Sequence, residues 1–288
     1  MVSAMRSLFI LFLTSYFLFF NYESFAIAEE VTKIVNKDLA ADLIRLHRFN
    51  HLQDKSEANQ DALKDQCRYE SEVSTAPPKG KVILSFDDGP NPQQTPYILD
   101  ILAKHNVPGS FFLVGHRVKQ HPNLVEKILA TRTHVIGNHS WDHPNFHEIS
   151  PEEQIDEVLK TKEILPSPIG QLFFRYPYGN STCDANKFIR QQGYKIVGWH
   201  IDSCDWAFDS HGFVDSKEAL SCGVLPQNTH NFVNHVVSSI RAHNGGILLM
   251  HEIHPSTVRQ LEEIVIQLKN SGFIFTTVED SAFIPVMR

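Results

Sequence analysis

Two adjacent acids, Asp87 and Asp88, stand in the hexapeptide Ser85-Phe86-Asp87-Asp88-Gly89-Pro90, directly behind the apolar run Val82-Ile83-Leu84. Neighbouring side chains of a strand point to opposite faces, so adjacent acids cannot serve one site while the strand continues. The chain is therefore expected to leave its strand there, with Gly89-Pro90 as the break. Two acids at a strand end suit a division of labour in which one binds a metal and the other moves a proton. Further along, His139 and His143 are four residues apart, one helical turn, so both could reach one ion. The spacing alone says little, because 16 histidines in 288 residues give about one such pair by chance. His47/His51 and His143/His147 share it, and the first of these, with no acid in its pattern, reads as surface. The His139 pair stands out because it follows an apolar segment and Gly137-Asn138, at another strand end. Two imidazoles and one carboxylate, with coordination positions left over, suit a catalytic divalent metal, zinc first.

The elements that must carry these residues alternate in type from Lys81 onward. Apolar runs at Val82–Phe86, Ser110–Val114, His134–Ile136, Leu172–Phe174, Lys195–Trp199, Ile247–Met250 and Phe273–Phe275 predict strands. Helical patterns fall between them at Thr95–His105, Asn123–Ala130, Pro151–Leu165, Ala185–Gln192, Asn231–His243 and Thr257–Asn270. Strand-then-helix alternation implies an α/β fold on a parallel sheet, closed as a barrel or open and doubly wound. The carboxyl ends of such strands are where chemistry collects.

The first 28 residues read as a signal peptide, with Arg6, an apolar stretch from Leu8 to Phe20, and Ala26-Ile27-Ala28 as the cleavage site. That stretch is short for a membrane span, so no stable span is expected after cleavage. Its removal leaves about 260 residues, enough for one sizeable core and a small appendage. Apolar positions from Val31 to Leu52 describe one helix face, and residues 29–78 are taken as an N-terminal helical extension ahead of a main domain at 79–288. A net charge of −7 advertises no nucleic-acid surface. Export implies an oxidising compartment, where Cys67, Cys183, Cys204 and Cys222 allow three pairings. Cys204 with Cys222 is the local option, leaving Cys67 with Cys183. The stretch from Ala207 to Asn231 reads either as a stapled loop over the site or as a surface insertion.

Five segments, in order, resemble the motifs of the NodB-homology polysaccharide deacetylases, carbohydrate esterase family 4. They are Ser85–Pro90, His139-Ser-Trp-Asp-His143, Arg175-Tyr-Pro-Tyr178, Asp202-Ser-Cys-Asp205-Trp206 and Leu249-Met-His251. The resemblance implies that family's distorted (β/α)7 barrel. It assigns Asp88, His139 and His143 to a divalent metal, zinc first with cobalt or another ion possible, and Asp87 to the general base. It makes His251 the general acid, oriented by Asp202, with Arg175 positioning Asp87. By the same resemblance the Tyr178 backbone N–H would face the oxyanion, and Trp206 and Leu249 would line the acetyl pocket. Asp205 receives no role, and His147 and His254 are left as structural. The implied function is metal-dependent removal of N-acetyl groups from an N-acetylglucosamine-type polysaccharide, peptidoglycan or chitin-like, by a secreted or periplasmic enzyme. The alternatives are an O-acetyl esterase of the acetylxylan type and a non-catalytic glycan-binding module.

Overall fold

The computed structural model describes residues 67–166 and 170–288. The signal peptide, the amphipathic helix from Val31 and the His47/His51 pair lie outside the described residues. An apolar run buried on both faces makes Lys81–Gly89 (β1) the centre of an all-parallel sheet. Around it stand Ser110–Leu113 (β2), Val135–Asn138 (β3), Leu172–Phe174 (β4), Tyr194–Ile196 (β5), Ile201–Asp202 (β6), Gly246–His251 (β7) and Ile274–Thr276 (β8). The sheet order is β5-β4-β3-β2-β1-β7-β6, with β8 also on β1. Because β7 follows one edge of β1 from Val82 to Asp87, β8 and β2 share the other, β8 at Lys81–Ile83 and β2 at Ser85–Gly89.

Nine helices surround the sheet among the described residues: Thr95–His105 (α1), Gly115–Gln120 (α2), Pro122–Ala130 (α3), Pro151–Ile164 (α4), Cys183–Gln191 (α5), Asp205–His211 (α6), Ser216–Cys222 (α7), Phe232–His243 (α8) and Pro255–Asn270 (α9). Their starts have local causes. Proline occupies the first turn of α1, α3, α4 and α9, where its missing N–H costs nothing. Ser150 and Asp215 close capping boxes on α4 and α7.

Strand alternation divides the core. Val82, Leu84 and Phe86 face the helices with Ile98, Leu102, Leu248 and Met250. Ile83 faces the concave side with Phe112, Phe173, Ile247 and Leu249. The same parity puts Ser85, Asp87, Arg175 and His251 on the concave face.

The curl is left open between β5 and β6, and chain from outside the sheet fills it. Residues 67–78, the described part of the expected helical extension, contain no helix. They form an extended strap that bridges Tyr69 to Asn180 and Glu72 to Trp199. The Cys67–Cys183 disulfide ties its start, and His147 Nε2 lies 2.9 Å from the Arg68 carbonyl and 3.0 Å from that of Ser181. His147 is thus a structural residue, as expected. Gly198 is required here, because a β-carbon would strike the Ser71 carbonyl. On the β5 side, Ile196 and Arg288 exchange backbone hydrogen bonds.

Candidate active site

Asp87 and Asp88 share one cleft by a route other than strand exit. β1 continues to Gly89, and its pairing with β2 skips a residue between Asp87 and Gly89. Asp88 is the bulged residue, with φ at 70°. A bulge re-aims one side chain without ending the strand, so the acid that alternation would send to the helix layer turns back beside Asp87. The strand does end at Gly89-Pro90, as expected, but the two acids lie inside it, before that break. Gly89 serves a different need, since a β-carbon there would overlap the Glu252 carboxyl.

The two histidines do not sit on a helix either. Residues 139–143 form a loop after β3, with Ser140 and His143 at φ of 67° and 60°. Buried polar side chains stitch it. Asn138 Oδ1 accepts from the Ser140 N–H, Ser140 Oγ from the His143 N–H, and Glu157 Oε2 from the N–H groups of Trp141 and Asp142. His139 Nδ1 lies 2.8 Å from the Arg175 carbonyl. The neutral ring spends its one N–H there and presents a lone pair at Nε2.

Asp88, His139 and His143 converge with the chemistry of a metal cradle. Asp88 Oδ1 lies 3.4 Å from His139 Nε2 and 3.1 Å from His143 Nε2, and it is buried without a hydrogen-bond partner. Donors of a tetrahedral ion with bonds of about 2.0–2.1 Å are separated by roughly 3.3 Å. Burial brings the His143 pKa down to about 4, so this ligand is neutral at pH 7. Burial opposes a charge on Asp88, but the imidazoles of His139, His251 and His143 around it outweigh that and hold the carboxyl below its usual range. These residues fit a divalent ion.

Asp87 uses its two oxygens differently. Oδ1 accepts from Arg175 Nη1 at 2.7 Å, while Oδ2 faces His139 Nε2 at 3.6 Å. Arg175 is fully buried, donating also to Ser85 Oγ and to the carbonyls of Val197 and Gly198, with its guanidinium 4.1 Å from the Phe112 ring centroid. Breaking such a buried pair costs about 3–5 kcal/mol.

His251 is the register partner of Asp87 across β1 and β7. The carboxylate on its Nδ1 is Asp205, at 2.7 Å, and not Asp202. Asp205 is buried, and its Oδ2 accepts from the His251 N–H and from Thr257 Oγ1. The reason lies at Cys204, whose φ of 57° turns the chain into α6 and aims Asp205 back at β7. Asp202 accepts from the Cys204 N–H at 2.8 Å and lines the cleft. Burial opposes a charge on His251, yet Asp205, with Asp88 and Asp87 beyond, carries its pKa up to about 10. Asp205, His251 and His254 form a second group of close ligand atoms, but hydrogen bonds already occupy both Asp205 oxygens.

The cleft has a volume of 530 Å³. Tyr178, Trp206 and Leu249 line it, Tyr178 in the left-handed region with its ring against His143 at 4.7 Å. His254, expected to be structural, also lines it, its Nδ1 3.5 Å from Asp209. Ser221 of α7 reaches it beside Cys222, which is bridged to Cys204. The stretch after Ala207 is therefore a stapled helix pair forming part of the wall. Glu252 was not legible as part of the site. It is buried behind Gly89 with a hydrogen bond from Thr95. Burial pushes its pKa up to about 8, Asp88 and Asp87 adding to the push and Thr95 opposing it. The available signal was an acid directly after a strand buried on both faces.

Residues 74–197 match the polysaccharide deacetylase family. The peptidoglycan-N-acetylglucosamine deacetylase PgdA of Listeria monocytogenes is 34% identical over 212 residues, which are 73% of this chain and 40% of that protein. The chain thus spans about two fifths of that relative's length. The peptidoglycan-N-acetylmuramic acid deacetylase PdaA of Bacillus subtilis is 30% identical over 72% of this chain and 73% of its own. Among solved structures, the Bc1960 peptidoglycan N-acetylglucosamine deacetylase, bound to 4-naphthalen-1-yl-N-oxidanyl-benzamide, superposes with a TM-score of 0.58 at 32% identity, covering 73% of this chain and 91% of that one. Sequence kinship, a shared curled sheet and five motifs gathered at its strand ends agree: the chain belongs to the polysaccharide deacetylase family, carbohydrate esterase family 4.

Proposed function

We propose that the chain is a metal-dependent hydrolase that removes N-acetyl groups from N-acetylglucosamine-type polysaccharide, peptidoglycan first, after export through residues 1–28. The observation that carries the reading is the pairing of a free base oxygen, Asp87 Oδ2, with a protonated acid, His251, on adjacent strand ends. A divalent ion held by Asp88, His139 and His143, zinc by its donor set, would supply Lewis acidity to the attacking water and the acetamide carbonyl. Asp87 Oδ2 takes the proton of that water while Arg175 holds Oδ1. The Tyr178 N–H faces the developing oxyanion, and Leu249 and Trp206 enclose the acetyl methyl. His251 then donates its proton to the departing nitrogen, which cannot leave as an amide anion.

This acid side favours amide over ester substrates, because an alkoxide leaves with less help than an amine. A silent glycan-binding module needs no base, ligand set or acid, and this chain keeps all three. Incubation with zinc and N-acetylglucosamine oligomers or peptidoglycan should release free amine, whereas acetate from acetylated xylan alone would overturn the reading. Asp87→Asn should abolish turnover while retaining metal at the wild-type level. A metal-free Asp87→Asn protein would contradict the division between the two acids.

A further inference from the structure

Arg117 lies on α2, directly after β2, and lines the cleft with His116, Asp142 and two of the metal-binding residues, Asp88 and His143. Its backbone is fixed, the N–H donating to the Val114 carbonyl and the carbonyl accepting from His121. Its guanidinium is different. Among the described residues, only half-buried Arg117 and exposed Arg132 have a guanidinium with no hydrogen bond, ion pair or ring contact within the chain. The acids around it are otherwise engaged. Asp142 faces His116 Nδ1 at 3.2 Å, and Asp87 is held by Arg175. Glu252 is behind the wall, bonded to Thr95. The charge of Arg117 nonetheless reaches inward, lowering the pKa values of His143 and Glu252.

A half-buried guanidinium pays part of its desolvation cost without a partner in the free protein, and its planar fork matches a carboxylate. The cleft also presents Asp87, Asp88, Asp142 and Asp202, and with Arg175 committed to Asp87 the guanidinium left to meet an acidic substrate at this wall is that of Arg117. We propose that Arg117 is a specificity residue that binds a carboxylate carried by the glycan, on the sugar being deacetylated or its neighbour, so that the substrate class is an acidic N-acetylated glycan. This rests on the deacetylase reading and narrows its substrate.

The test compares kcat/KM of the zinc-loaded protein on one N-acetylated, carboxylate-bearing oligosaccharide and on the same compound with its carboxylates masked as amides. The wild type should favour the acidic form, and Arg117→Gln should reduce that ratio about tenfold or more, the size expected for a charge-assisted bond, chiefly through KM. Arg117→Lys, which keeps the charge and loses the fork, should retain an intermediate ratio. Amine release from both forms with a ratio unchanged by Arg117→Gln would overturn the inference alone. Absence of amine release from either form, and from N-acetylglucosamine oligomers, would overturn the deacetylase reading with it. The guanidinium has no hydrogen bond, ion pair or ring contact within the chain, so Arg117→Gln should melt with the wild type, and a circular-dichroism scan checks this.

Discussion

Burial by itself would strip the proton from His251, and Asp205 on its Nδ1, with Asp88 and Asp87 across the cleft, reverses that and carries the pKa up to about 10. Asp205→Asn should therefore move the alkaline limb of amide cleavage down by more than one pH unit. Amide cleavage should lose kcat/KM progressively as the pH rises above the displaced limb, while an activated aryl acetate, whose leaving group needs no proton, should lose far less. An alkaline limb that stays in place would remove Asp205 from the acid side. Glu252 gives a second pH signature, in stability. Its pKa is raised to about 8 from a reference of 4.5, so between those values the unfolded chain releases a proton that the folded one keeps. Stability then falls as pH rises, by up to about 1.4 kcal/mol per pH unit in the metal-stripped protein. Glu252→Gln should flatten that slope in urea titrations between pH 5 and 8, and an equal slope in both proteins would rule out the buried proton. The motif pattern named both acids of Asp202-Ser-Cys-Asp205 and gave the orienting role to Asp202, whereas the carboxylate on His251 is that of Asp205. That choice is made by one left-handed residue, Cys204, which leaves no mark in side-chain type. Asp88 is the same case: its acid was legible, its bulge was not.

The strands and long helices were legible because each spans enough residues for its period to show. The apolar runs Val82–Phe86 and Ile247–Met250 became β1 and β7, and the pattern at Thr257–Asn270 became most of α9. β6 has two residues, α2 six, and α6 and α7 seven each, too few for periodicity to register. Those short pieces carry Asp202, Arg117, Asp205 and Ser221, so much of the substrate-facing wall sits where sequence patterning is blind. The bridge from Cys204 to Cys222, 18 residues apart, should contribute about 3 kcal/mol by restricting the unfolded chain. The double variant Cys204→Ser/Cys222→Ser should lose that stability in denaturant melts and raise KM for the glycan, because Ser221 moves with Cys222. A lower melting point with an unchanged KM would reduce the staple to a structural role.

At the level of the whole molecule, the domain boundary drawn at residue 79 divides what the fold joins. The strap ahead of it supplies the partner for Trp199, through Ser71 and Val73, at the open edge of the curl. The carbonyls of Val197 and Gly198 that receive Arg175 belong to that same edge segment. These contacts close long loops, 116 residues at the Cys67–Cys183 bridge, and long loops are the slowest to close. In refolding of the reduced chain, far-ultraviolet ellipticity should therefore recover before activity, and simultaneous recovery would show that the strap docks with the sheet. A curled sheet sealed by distant chain separates being folded from being armed. The helices and central strands can assemble while the guanidinium paired with Asp87 still lacks its seat, so the strap sets the moment at which the cleft is complete.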